Sequence, residues 1–97
     1  MNVRRLHPFE YKLYQNFVGD LHDNINAIFE EPTTNVILAV FDGENIIGAS
    51  HINTVKNEVL AVNSGNFDSA LTMAQNWCRQ HKIENPTYKL LTSVLAS

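Results

Sequence analysis

Cysteine is nearly missing from these 97 residues, with Cys78 the sole example. One thiol closes no internal disulfide and completes no structural zinc site, so packing must hold the chain together, as suits a reducing compartment. Four glycines, three prolines and no low-complexity run leave no room for a linker or an internal repeat. Long apolar runs are lacking too. Met1 to Leu6 carries Arg4 and Arg5 with no apolar stretch after them, so the sequence predicts neither a secretory leader nor a membrane span, and a cytoplasmic protein is the expectation. Positive charge is scarcest of all. No lysine or arginine lies between Leu13 and Val55, where Asp20, Asp23, Glu30, Glu31, Asp42 and Glu44 all fall. That balance argues against a nucleic-acid partner, which needs clustered basic residues, and suits an amine ligand or a basic protein surface. The four histidines, His7, His22, His51 and His81, are scattered without ligand spacing, so no metal is expected.

What is present starts with a hairpin. Asn35 to Phe41 is apolar in both alternating sets, Val36, Leu38 and Val40 in one and Ile37, Ala39 and Phe41 in the other. A strand of that kind is covered on both faces. Asp42-Gly43-Glu44-Asn45 is a turn signal, and Ile46 to Asn53 returns with Ile47, Ala49 and His51 on one face and Ile46, Gly48, Ser50 and Ile52 on the other. The hairpin predicts the middle of a sheet that carries helices.

Before it, Asn2 to Leu6 alternates as a short strand, and Pro8 suits a first helical turn. Phe9, Leu13 and Phe17, widened by Tyr14, Val18 and Leu21, predict an amphipathic helix, and Leu21, Ile25, Ile28 and Phe29 a second one ending before Pro32. After it, Thr54 to Val62 reads as a third antiparallel strand and Asn63 to Asn66 as a loop. Phe67 to Lys82 is the clearest helix, with Asn66 as cap and Asp68 at its positive end. Tyr88 to Leu95 reads as a last strand, parallel to the one before the helix. The order β-α-α-β-β-β-α-β predicts one α/β domain over residues 1–97, with a mixed, mostly antiparallel sheet and helices on both faces.

That order, with the opening words Asn2 to Tyr11, the hairpin Val36 to Ile52, and the strand-loop-helix unit from Glu58 to Lys82, resembles the GNAT superfamily of N-acetyltransferases. The resemblance covers nearly the whole chain, without the family's later helix and two strands. It implies an α/β fold and transfer of an acetyl group from acetyl-CoA to an amine. By the same resemblance Glu58 would be the base, and Val62, Asn63, Ser64, Gly65, Asn66 and Phe67 would occupy the cofactor loop, where Gly65 alone matches the family's pattern. Asp20, Asp23, Glu30 and Glu31 would face the amine acceptor.

Two functions stand side by side. In one the chain is an acetyl-CoA-dependent N-acetyltransferase. In the other it is an inactive GNAT-like binding or inhibitory module that docks on a basic partner through its acidic face. His51 reads better as a hydrogen-bonded core or rim residue than as a base, and Cys78 beside Trp77 as packing, with His81 its only imidazole nearby in sequence. Leu90, Leu91, Val94 and Leu95 would leave an apolar sheet edge, which predicts a homodimer through the C-terminal strand.

Overall fold

The computed structural model describes residues 2–19, 31, 33–63 and 69–92. Strand β1 (Asn2–Arg5) leads through a 3-10 turn (Pro8–Glu10) into helix α1 (Tyr11–Val18). Strands β2 (Asn35–Asp42), β3 (Asn45–Asn53) and β4 (Glu58–Asn63) follow, then helix α2 (Ala70–Gln80) and strand β5 (Thr87–Thr92). The sheet order is β1-β2-β3-β4-β5. The first three pairings are antiparallel, and β4 and β5 run parallel across α2. This is an α/β fold on a five-stranded mixed sheet. The second helix expected over Leu21 to Glu30 and the strand residues beyond Thr92 lie outside the described residues.

Both faces of β2 are covered. Ile37, Ala39 and Phe41 join Ala49 and Val62 under Leu6, Tyr11, Tyr14, Phe17 and Val18, the α1 side. Val36 and Leu38 join Ile52 and Val59 under Ala74 and Cys78, the α2 side. The buried stripe of α2 is Ala70, Ala74 and Cys78, small side chains four apart that let the helix lie close on the sheet. Met73 and Trp77 flank that stripe against the same cluster.

The phase of α1 differs from the sequence expectation. Phe9 is 84% exposed and Leu13 44%, whereas Tyr11, Tyr14 and Val18 are buried. The reason is where the helix begins. The Pro8 turn holds Phe9 outside the α-helix, stacked on His7 at 5.5 Å, and the helix then presents positions 11, 14 and 18, an i, i+3, i+7 face. The Tyr11 hydroxyl donates to the carbonyl of Asn35 at 3.2 Å and fastens that face to the start of β2.

The hairpin holds a second correction. Gly43 sits at φ 65° and Glu44 at negative φ, the II′ pattern of a two-residue turn. Val40 pairs with Gly48 but Phe41 with Ile46, so Ile47 is a bulged residue. Simple alternation sets Ile46 on the face of Ser50 and Ile52; the bulge moves it across, to pack with Phe41 in the α1-side core. At the far end of β3, the Asn53 side chain accepts the N–H groups of Val55 and Lys56, and Asn57 takes φ 57°, closing the turn into β4.

Arg4 on β1 donates to both carboxylate oxygens of Glu10, at 2.8 and 2.7 Å, and its guanidinium lies 4.6 Å from the centre of the Phe41 ring. The Arg4 hydrogen bonds first, and then the His7 N–H, lower the Glu10 carboxyl to about 2. A depressed acid stabilises the folded state above its ordinary pKa and stops doing so as pH falls toward the depressed one. Stability should therefore decline between about pH 4.5 and pH 2, and Glu10→Gln should flatten that part of a melting-temperature profile.

A pair of substitutions tests the phase of α1 in urea denaturation. Tyr14→Ala should cost about 3 kcal/mol or more, as for other large buried side chains. Phe9→Ser should stay within about 0.5 kcal/mol of the parent, despite the greater apolarity of phenylalanine.

Candidate functional site

The carboxyl end of a parallel strand, where the chain turns into a helix, is where open α/β sheets bind ligands. Here that place is the end of β4. Val62 is buried between its partners Ala49 and Leu91 and belongs to the α1-side core. Asn63 is buried too, and its Oδ1 accepts the N–H of Ala70 at 3.1 Å. The Ser50 hydroxyl donates to the Ala70 carbonyl at 2.9 Å. The first residue of α2 is thus tied to β4 through its N–H and to β3 through its C=O. Ser69 takes the N-cap position, with no side-chain cap of its own; the expected cap Asn66, with Asp68, lies outside the described residues.

An acetyl-CoA pyrophosphate at this end would need exposed N–H donors. Of the six expected cofactor residues, Val62 lies within the ladder between β3 and β5, and Asn63 turns its Oδ1 to the start of the helix. Ser64, Gly65, Asn66 and Phe67 lie outside the described residues.

Glu58 is at the other end of the same strand, exposed, paired with Asn53 on one side and Thr87 on the other. Five strand steps place it roughly 16 Å from Asn63. Beside it the two loops are joined, since Asn57 donates from Nδ2 to the carbonyl of Glu84 and Thr87 donates its N–H to Asn57.

Of the expected acceptor-binding acids, Glu31 is exposed and its carboxylate accepts the Thr34 hydroxyl at 3.3 Å. Asp20, Asp23 and Glu30 lie outside the described residues. Asp42 and Glu44 are exposed at the hairpin tip, the whole length of β2 away, roughly 24 Å by strand rise. The described acids of that stretch, Glu31 on one side and Asp42 and Glu44 on the other, therefore stand at opposite ends of the sheet.

The best-organised polar cluster joins residues that the sequence did not connect. His51 Nε2 lies 2.6 Å from Asn35 Oδ1, and Asn35 Nδ2 donates to the Glu31 carbonyl at 2.9 Å. Since Nδ2 is the donor to Glu31, Oδ1 is the acceptor facing the ring, and His51 carries a proton on Nε2. Tyr14 meets the imidazole edge-on at 6.4 Å. Burial pushes the Tyr14 phenol far up, so it stays protonated. The cluster fixes the ring beneath α1, and His51 is a hydrogen-bonded residue at the rim of the core. Hairpin register is the signal that could have found it, because His51 stands opposite Ile37, two positions from Asn35.

Cys78 is buried, and burial raises its thiol. His81 is not turned to it, its ring being stacked on Trp77 at 3.9 Å. Among the described residues no group of three His, Cys, Asp or Glu could hold a metal ion, and no helix is long and apolar enough to cross a membrane.

Asn63→Ala should lower stability in urea by about 1–2 kcal/mol, the cost of losing a helix cap at a buried site. Asn63→Asp keeps the acceptor and should recover part of that loss.

No protein-family model matches the sequence, and no curated protein is similar to it.

Proposed function

We propose that the chain is a GNAT-like scaffold acting as a non-catalytic binding module for a basic partner surface. The observation that carries the reading is the closed seam between β4 and β5, paired without interruption from Glu58 opposite Thr87 to Asn63 opposite Thr92. A cofactor held at the loop and delivering an acetyl group to an amine at Glu58 would have to extend roughly 16 Å along β4. The ladder pairs the two strands over that whole length, and the Asn63 Oδ1 at its far end accepts the N–H of Ala70. Exposed Glu31 and the neighbouring acids of the sequence would then meet lysines or arginines of the partner, an attraction that steers association more than it adds affinity.

One feature favours the N-acetyltransferase reading. The β4–α2–β5 crossover brings a helix start to the carboxyl end of a parallel strand, the usual ligand position in such sheets. In that reading Glu58 takes the proton of the attacking amine.

Calorimetric titration with acetyl-CoA, with free CoA and with a lysine-rich peptide separates the two. The module reading expects no heat from either cofactor at millimolar concentration. It also expects peptide binding that weakens as salt is raised and on Glu31→Lys. Micromolar acetyl-CoA binding, lost when Gly65 is replaced by a bulky residue, would overturn the module reading, restore the transferase reading and justify an amine screen. Absence of peptide binding would remove the basic partner.

A further inference from the structure

The two edges of the sheet are built differently. β1 is four residues long and carries Arg4 and Arg5, the charged, short form of edge that resists pairing. β5 is six residues long, Thr-Tyr-Lys-Leu-Leu-Thr, with Lys89 its only charge and no break in its register with β4. Tyr88 is 36% exposed and Leu90 50%.

Among the described residues β5 is paired on one side only, and the direction of its remaining backbone groups follows from one bond. Thr87 donates its N–H to Asn57 O at 2.9 Å, and the N–H and C=O of a strand residue point to one side, alternating along the strand. Thr87, Lys89 and Leu91 therefore turn their backbone groups toward β4, and Tyr88, Leu90 and Thr92 turn theirs outward. Such a row takes a strand, not a small ligand.

We propose that β5 pairs with β5 of a second copy, antiparallel, about a two-fold axis at Leu90. This register is self-complementary. Leu90 meets Leu90 in a hydrogen-bonded pair, Tyr88 meets Thr92, and Lys89 meets Leu91, so no like charges stand opposite one another. The two exposed apolar residues of the strand, Tyr88 and Leu90, share one face and are covered together. A continuous sheet through two copies is the result.

Sedimentation of the full chain at tens of micromolar tests it. The parent should have the mass of two chains and a melting temperature that rises with protein concentration, and Leu90→Lys, which sets like charges on the axis, the mass of one with unchanged circular dichroism and a melting temperature independent of concentration. Cross-linking gives a second readout. In an antiparallel hydrogen-bonded pair the Cα atoms are about 5.5 Å apart, within disulfide range. Leu90→Cys should thus oxidise to a covalent dimer while Val3→Cys, on the β1 edge, should not; native Cys78 is buried and stays out of the reaction. A single-chain mass for the parent, a dimer that survives Leu90→Lys, or cross-linking through Val3→Cys in place of Leu90→Cys would each overturn the proposal.

Discussion

The structure depends on β2 being covered in all four directions. Its backbone is paired on both sides, with β1 and β3, and its side chains are buried on both faces from Asn35 through Phe41. A strand in that position has no solvent-facing side on which to put polar residues, so its sequence is apolar in both alternating sets. That demand fixes the rest. One helix must cover each face, neighbouring strands must supply the partners, and the side-chain amides and hydroxyl of the buried Asn and Ser residues must find hydrogen bonds. Asn35, Ser50 and Asn63, the buried polar residues among those described, all meet that condition.

The sheet's strands were legible because their signals are local. A doubly apolar run, an Asp-Gly turn and a turn-rich Asn53–Asn57 stretch locate β2, β3 and β4 without knowledge of tertiary contacts. The parallel return of β5 follows from a helix lying between two strands. The phase of α1 was not legible, since Phe9 and Leu13 outrank Tyr11 in apolarity and only the Pro8 turn and the bond to Asn35 decide which face turns inward. The Ile47 bulge was hidden for a similar reason: Ile46 and Ile47 are the same residue type, and a strand pattern cannot tell which of two isoleucines is extra.

The candidate site divides in the same way. Individual residues could be named from the chain, but the distance between them could not. Glu58 and Asn63 look close in sequence and stand at opposite ends of a strand; Asn35 and His51 look distant and are bonded. Extended chain converts five residues into a long separation, and a hairpin converts sixteen into a contact. Chemistry that needs two groups within hydrogen-bond reach is therefore favoured where strands face each other and disfavoured along any one of them.

Coverage of β2 on both faces by separate clusters has a consequence for cooperativity. Among the described residues the α1-side and α2-side cores share no side chain, and the backbone of the sheet lies between them. Detaching α2 would uncover Val36, Leu38, Ile52 and Val59 while leaving the opposite cluster's contacts in place. Such a chain should open by layers, with amide exchange on one helix reporting a different free energy from exchange on the other.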